Sequence, residues 1–414
     1  MSIHNVIDNL QKYAIDVLAD LIRIPTYNPP GANYLKFAER TSSILKELGF
    51  DTSIYEVPHE LVIKKYPWAE KYRRYVVIGK WCEGSGYTIH FNGHYDVVPA
   101  GHGWTVTEPF QPKILDGKIF GRGAVDMKGG IAAIFTALKA LKKYGFSPKG
   151  CIEVSLTPDE EVGGETGVAW MLNENLVKPD YAIIAEPSGL ENVWIGNKGN
   201  VWAYIEIHGK QAHGSTPWAG CNAFEGMVLI ANEIINKLKP KIESRVSKYD
   251  YGHPLGNTST LTIGGEVKGG AKINMVPGFY SFSIDRRVIP EEDIENVITE
   301  LREFINEVNE KIKNRGLKAS LNIVSVAKHS LVKPDSPFVK LVSQAIKHII
   351  GKEPNLRVCI GGLDARYFTS KGIPAVTYGP GPGDKAHMAD EYVYIKDLVG
   401  VSKVYAEIIQ RLLS

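Results

Sequence analysis

The chain has 414 residues, 44% hydrophobic and 23% charged, an ordinary globular composition at a length that favours two domains over one. Its 48 basic and 46 acidic residues leave a formal net charge of +2, with no Lys/Arg block, which argues against a nucleic-acid or anionic-membrane partner. No apolar run approaches the ~20 residues of a membrane span, and Met1-Ser2-Ile3-His4-Asn5 opens an amphipathic helix rather than a secretory signal. The four cysteines, Cys82, Cys151, Cys221 and Cys359, form no Cys-x-x-Cys pair. They read as buried thiols in a reducing compartment rather than disulfide or zinc partners, and the protein as soluble and cytoplasmic.

From Val6 to Ile22 apolar residues recur at helical spacing until Pro25 stops the pattern. A second helix, Leu35 to Leu48, ends at Gly49. Strands follow at Tyr75–Ile78 and Tyr87–Phe91, then a helix from Gly129 to Tyr144, a strand from Cys151 to Leu156, a helix from Thr166 to Leu176 and an apolar strand, Tyr181–Ile184. This alternation predicts an α/β layer fold around a largely parallel, buried sheet. Near Asn197-Lys198-Gly199 the texture changes. Val201 to Ile207 alternates as a half-exposed strand does. A helix at Asn222–Leu238, strands at Ser259–Ile263 and Phe279–Arg286, a helix at Glu291–Lys313 and a strand at Ala319–Val324 complete a β-α-β-β-α-β order, the split-βαβ arrangement. The expected organisation is therefore a catalytic domain in two parts, 1–197 and 326–414, with an inserted lid domain at 198–325. A helix at Pro337–Ile350, strands at Leu356–Cys359 and Ala375–Tyr378, and a helix at Asp397–Leu413 finish the chain.

Charged residues collect where apolar runs stop: Gly93-His94-Tyr95-Asp96, then Gly123-Ala124-Val125-Asp126-Met127-Lys128-Gly129, then Asp159-Glu160-Glu161. Strand ends are where an α/β sheet presents its chemistry. Carboxylates gathered in one cleft repel one another unless cations sit between them, which points to a two-metal hydrolase site. His94 and Asp96, two apart, face the same way on a strand end, so Asp96 can hold the second ring nitrogen of a ligating imidazole. Asp126 either bridges two cations or caps the helix that follows. Glu160 and Glu161, adjacent on extended backbone, point in opposite directions, one to metal and one to water, or else form a solvated acidic turn. Glu186 ends the strand at Tyr181–Ala185, as a ligand or an ordinary strand-terminating acid; His387 lies on a glycine-rich loop, as a ligand or a surface histidine.

In the order of these segments the chain resembles the dinuclear-zinc amidohydrolases and exopeptidases that include acetylornithine deacetylase, succinyl-diaminopimelate desuccinylase, aminoacylase and glutamate carboxypeptidase. The match also takes in Gly121-Arg122, Ala185-Glu186-Pro187-Ser188 and Ala386-His387, and in the lid Gly209-Lys210-Gln211-Ala212-His213-Gly214-Ser215 and Asn274-Met275-Val276-Pro277. The resemblance implies a zinc-exopeptidase-like three-layer catalytic domain with an inserted ferredoxin-like (βαββαβ) lid and dimerisation domain. It implies that His94 and Glu186 hold one ion and Glu161 and His387 the other, with Asp126 between them, Asp96 behind His94 and Glu160 as general base. It further implies that His213 reaches across a homodimer to the partner's oxyanion, and that Asn274 and Arg286 meet the substrate's carboxylate, although Arg286 beside Asp285 and Arg287 also reads as a salt-bridge former. Gly361, Gly362 and Arg366 match a glycine-rich substrate loop, but Leu363 stands where desuccinylases carry a small hydroxyl residue.

The expected cofactor is two divalent metal ions, zinc first, with cobalt or manganese as alternatives. The expected activity is amide hydrolysis of a small N-acyl amino acid by a metal-activated water, of desuccinylase or deacetylase type. A carboxypeptidase or dipeptidase acting on a short peptide comes second, and the lid is too short for the long-lid dipeptidase branch. A non-catalytic binding protein on the same fold would have lost a ligand or Glu160, and Gly121-Arg122-Gly123 lacks the spacing of a dinucleotide fingerprint.

Overall fold

The structure is a computed structural model and describes residues 2–414. Two compact units make up the chain. The first runs to Gly196 and resumes over Val332–Arg357 and Leu363–Ser414; the second comprises Asn197–Leu331 and Val358–Gly362.

In the first unit the sheet runs Asp51–Glu56, Tyr75–Glu83, Gly150–Thr157, Thr88–His94, Tyr181–Ile184, Ala375–Thr377 and Asn192–Asn197. The middle of that order is parallel: Gly150–Thr157 with Thr88–His94, that strand with Tyr181–Ile184, and Tyr181–Ile184 with Ala375–Thr377. The flanks are antiparallel, Asp51–Glu56 on Tyr75–Glu83, Tyr75–Glu83 on Gly150–Thr157, and Thr377 opposite Trp194. The sheet is thus mixed, where the sequence predicts a largely parallel one. A strand buried on both faces carries an apolar run whichever way its neighbour points, so side-chain pattern does not reveal direction.

Helices Gln11–Ile22, Lys128–Tyr144 and Ile395–Leu413 pack together, and the middle one is apolar almost all round, as a helix enclosed by others should be. Tyr34–Glu47 packs on the first two strands. The expected helix over 6–22 is two, Ile3–Asp8 and Gln11–Ile22, because the chain turns at Asn9 and buries both Ile7 and Leu10. The segment expected as a helix from Thr166 is a wide turn, Glu165–Ala169, followed by the short helix Trp170–Asn173. It is kinked at Gly167, where a Cβ would lie 2.1 Å from the Pro158 carbonyl oxygen.

Cys82 and Cys151 form a disulfide, which corrects the expectation of unbridged thiols for that pair; Cys221 and Cys359 are not joined in a disulfide. The two half-cystines are directly opposed on antiparallel strands, Tyr75–Glu83 and Gly150–Thr157, so the ladder register brings together residues that lie 69 apart in the chain.

The second unit has the order strand Gly199–His208, helix Ala223–Glu233 (continued by a wider helical turn, Ile234–Leu238, and the short helix Lys239–Glu243), strands Thr260–Gly269 and Phe279–Val288, helix Ile294–Ile312 and strand Lys318–Ala327. Its four-stranded sheet is antiparallel throughout, with Thr260–Gly269 at one edge, then Phe279–Val288, Gly199–His208 and Lys318–Ala327. Val201, Ala203, Ile205 and Ile207 are buried against helix residues such as Ile230, Leu301 and Ile305, while Trp202 between them is exposed. That alternation is what a sheet with one covered face requires.

Candidate metal centre

Parallel neighbours end at the same edge of a sheet, and that is what assembles the site. His94 is the last residue of Thr88–His94, Glu160 and Glu161 follow Gly150–Thr157, Glu186 follows Tyr181–Ile184, and His387 follows Ala375–Thr377 beyond a short turn. Asp126 comes from the turn that starts helix Lys128–Tyr144.

Two sets of donor atoms result, His94, Asp126 and Glu186 in one and Asp126, Glu161 and His387 in the other, each with its atoms within 4.8 Å of one another. Asp126 belongs to both. Its Oδ1 is 3.0 Å from His94 Nε2 and its Oδ2 is 3.2 Å from His387 Nε2. Glu186 Oε1 lies 3.3 Å from His94 Nε2, and Glu161 Oε2 lies 3.1 Å from His387 Nε2. Among the described residues, Oε1 of Glu161 is buried without a hydrogen-bond partner, a costly state for a carboxylate that a cation relieves. Two imidazoles and three carboxylates are a donor set that divalent zinc accepts, so the residues fit a dinuclear divalent-metal centre.

The electrostatics agree. Burial, followed by the Asp126 charge, raises Glu161. Burial pushes Glu186 up to about 7 against the pull of His94. Hydrogen bonds to Asp126 and Glu161 hold His387 at about 10. His94, although burial opposes its charge, is lifted well above the ordinary histidine range by Glu186, Asp126 and Asp96. In the protein alone, protons on the imidazoles supply the positive charge that the crowded carboxylates require, and metal binding displaces them.

His94 Nδ1 donates to the main-chain carbonyl of Asp96 at 3.0 Å, whereas the Asp96 carboxylate stands 3.6 Å away. Either contact fixes the tautomer that leaves Nε2 free as a ligand. The Asp96 carboxylate instead accepts the backbone N–H groups of Glu160 and Glu161, both at 3.2 Å. Glu160–Val162 is one turn of 3-10 helix rather than the extended backbone expected from the sequence. Glu161 nevertheless reaches His387 while Glu160 stays out of both donor sets. Burial first, with Glu186, Asp364 and Glu161 adding to it against His94, pushes the Glu160 carboxyl well above the carboxylate range.

Beneath this turn lie residues to which sequence reasoning gave no role. Buried Asn28 donates to both Asp96 (3.1 Å) and Asp159 (2.9 Å). Asp159 also accepts from Arg74 at 2.7 Å and from Thr166. Burial, then repulsion from Asp96, carries Asp159 up to about 6 despite Arg74. Arg122 and Glu391 form a second buried pair. Their signal was positional: one stands four residues before Asp126, the other four after His387.

The model for peptidase family M20/M25/M40 matches residues 90–411. The chain belongs to that family. It is 31% identical over 419 residues to an uncharacterized metallohydrolase of Methanocaldococcus jannaschii, covering 97% of this chain and 100% of the other. It is 28% identical to a succinyl-diaminopimelate desuccinylase of Nitratiruptor, covering 96% and 99%. Its fold matches that of the di-peptidase Dug1p of Saccharomyces cerevisiae at a TM-score of 0.77 and 19% identity, covering 99% and 97%. This M20/M25/M40 member is a metal-dependent hydrolase.

In the second unit His213 is exposed, and its Nδ1 accepts the Ser215 N–H at 3.1 Å. That contact leaves Nε2 to carry the proton of the neutral ring. His213 and Asn274 line one open hollow with Gln211, Lys272 and Met275. Arg286 is fully buried and donates to Glu292 and to the Arg287 carbonyl. Arg366 is buried, with donors on Leu363 O (3.0 Å), Gly163 O (2.7 Å) and Tyr367 Oη (3.3 Å). Both guanidinium groups thus make hydrogen bonds within the protein, and Nε of Arg286 is buried without a partner among the described residues. Gly362 closes the short segment Val358–Gly362 of the second unit. Among the described residues no helix is long and apolar enough to cross a membrane.

Proposed function

We propose that the enzyme hydrolyses the amide bond of a small N-acyl amino acid, as a desuccinylase or deacetylase does. The observation that carries this reading is Asp126, with one carboxylate oxygen turned to each imidazole, His94 and His387. In this reading His94 and Glu186 hold one ion, Glu161 and His387 the other, and Asp126 lies between. When bound, two such ions polarise an amide carbonyl and lower the pKa of a water towards neutrality. Glu160, with its proton affinity raised by burial, takes the proton of that water and passes it to the leaving amine. His213, with Nε2–H free to donate, supplies a hydrogen bond to the oxyanion. Asn274, beside Lys272 in the same hollow, meets the substrate's carboxylate end. The similarity to a desuccinylase over 99% of that enzyme's length supports an N-acyl amino acid as substrate.

The second unit is proposed as a ferredoxin-like lid that also dimerises, with His213 acting in the partner's site. Its antiparallel strand order supports the first part. Exposed Phe224 and Val228 on one helix face, with Val267 on the edge strand, support the second. The Cys82–Cys151 disulfide weighs against a reducing compartment, since cytoplasmic disulfides of this kind belong chiefly to hyperthermophiles.

The test is a hydrolysis screen of N-acetyl and N-succinyl amino acids and dipeptides with chelator-stripped enzyme reconstituted with zinc, cobalt or manganese. Turnover of the N-acyl compounds is expected. Cleavage of dipeptides alone would replace this reading with the peptidase one.

A further inference from the structure

The two ligand-bearing loops that meet over Asp126 come from opposite parts of the chain, and one buried ion pair joins them. Arg122 and Glu391 are each 1% exposed. The Glu391 carboxylate accepts from the Arg122 guanidinium and from the backbone N–H groups of Gly123 (2.6 Å) and Val125 (3.4 Å). It therefore grips the turn that delivers Asp126. The two Nη groups also donate in the opposite direction, to the carbonyls of Met388 (3.3 Å), His387 (3.4 Å) and Ala100 (3.1 Å), while Nε is buried without a partner among the described residues. The main chain closes the same junction, with Gly121 N–H donating to the Glu391 carbonyl at 3.1 Å.

The His387 loop is tied at its far end as well, where the Asp390 carboxylate accepts from Thr105 and the Val106 N–H and strand Tyr392–Tyr394 pairs with Lys118–Phe120. Arg122, however, is the side chain that reaches the His387 carbonyl itself. The loop backbone carries a left-handed residue at His387 (φ 65°) and another at Asp390 (φ 54°), and the His387 ring is half exposed. His94, in contrast, is 1% exposed at the end of a central strand, and Glu186 lies one residue beyond another, Tyr181–Ile184. One of the two metal positions is thus built on the sheet, and the other on a loop pinned from behind by Arg122.

We propose that the Arg122–Glu391 pair is a positioning device for the second metal position, that of Asp126, Glu161 and His387, and that its loss weakens this position far more than the other, which shares only Asp126 with it. Neither residue contributes a ligand atom. The pair acts by fixing the His387 main chain relative to Asp126, as partners behind metal ligands do, where their loss costs about 10–100-fold in affinity. The inference rests on the two-metal reading above.

The test is zinc titration by calorimetry of chelator-stripped full-length protein, with Glu391→Gln and with the milder Arg122→Lys, which keeps the charge and loses the fork. Each change is also made in a His94→Ala background, which leaves the Asp126–Glu161–His387 position, and in a His387→Ala background, which leaves the other. The expected result is an affinity loss of about 10–100-fold in the His94→Ala background and a change below about threefold in the His387→Ala background. Equal losses in both backgrounds would mark the pair as merely structural and overturn the proposal, as would unchanged affinity in both. Wild-type protein that takes up a single zinc would overturn the two-metal reading itself. Two equivalents together with an indifferent Glu391→Gln would overturn only this inference.

Discussion

Burial and neighbouring acids raise the proton affinity of the Glu160 carboxyl, the property its proposed role as base requires. Glu160→Ala is expected to lower kcat by about 10²–10⁴-fold or more while leaving about two metal ions per chain, checked by turnover and elemental analysis of the same sample. A near wild-type rate would remove Glu160 from the base role. Asn28 is a second decisive residue, for a different reason. Its amide is the neutral link between two buried carboxylates, Asp96 and Asp159, and Asp96 in turn holds the backbone of Glu160 and Glu161. Asn28→Ala is expected to cost about 1–3 kcal/mol by leaving those acceptors short of a donor, read from denaturant unfolding, and to lower kcat more than it raises KM.

Among elements, the contact between helix Lys128–Tyr144 and the segment before Glu186 leaves no room for a side chain. A Cβ on Gly130 would stand 2.0 Å from the Ala185 carbonyl oxygen. Gly130→Ala is expected to force helix and strand end apart and to weaken the metal position that uses Glu186, seen as reduced zinc retention after dialysis. The strand pair joined by Cys82–Cys151 closes a long loop; Cys82→Ser is expected to destabilise the fold by about 2–4 kcal/mol, measured by unfolding with and without reductant. These elements also show what a sequence reveals. Strands such as Tyr181–Ile184 and their charged ends were legible because a continuous apolar run stopped by an acid is a local pattern. The edge strand Asp51–Glu56 was not, for it is mostly exposed and Ile54 is its one aliphatic residue. Parallel against antiparallel pairing, the register that opposes Cys82 and Cys151, and the Arg122–Glu391 pair all depend on partners far away in the chain, where periodicity carries no information. The five residues that gather at Asp126 were legible only through the order of their motifs; each alone fits a cap, an acidic turn or a surface histidine.

For the whole molecule the pH dependence should reverse on metal loading. Burial holds Glu186 at about 7 in the metal-free protein, against an ordinary value of about 4.3. The fold therefore keeps protons that the unfolded chain releases, and this contribution is full below the ordinary value and is lost as pH rises through 7. Metal-free protein is expected to melt at a lower temperature at pH 7 than at pH 5. With zinc bound, Glu186 must be ionised, and the order should invert; thermal scans with chelator and with excess zinc decide this. Mixing His213→Ala and Glu160→Ala proteins under subunit exchange should restore part of the activity if His213 serves the partner, and no recovery would end that part of the reading. One strand has a further consequence for how the protein comes into being. Ala375–Thr377 lies between Tyr181–Ile184 and Asn192–Asn197, yet it leaves the ribosome long after both, roughly ten to forty seconds later at about 5–20 residues per second. Until then the sheet lacks the strand that joins those two, and His387 is not yet made. Ion capture at the second position is therefore a mark of finished synthesis, and a chain released early would lack it.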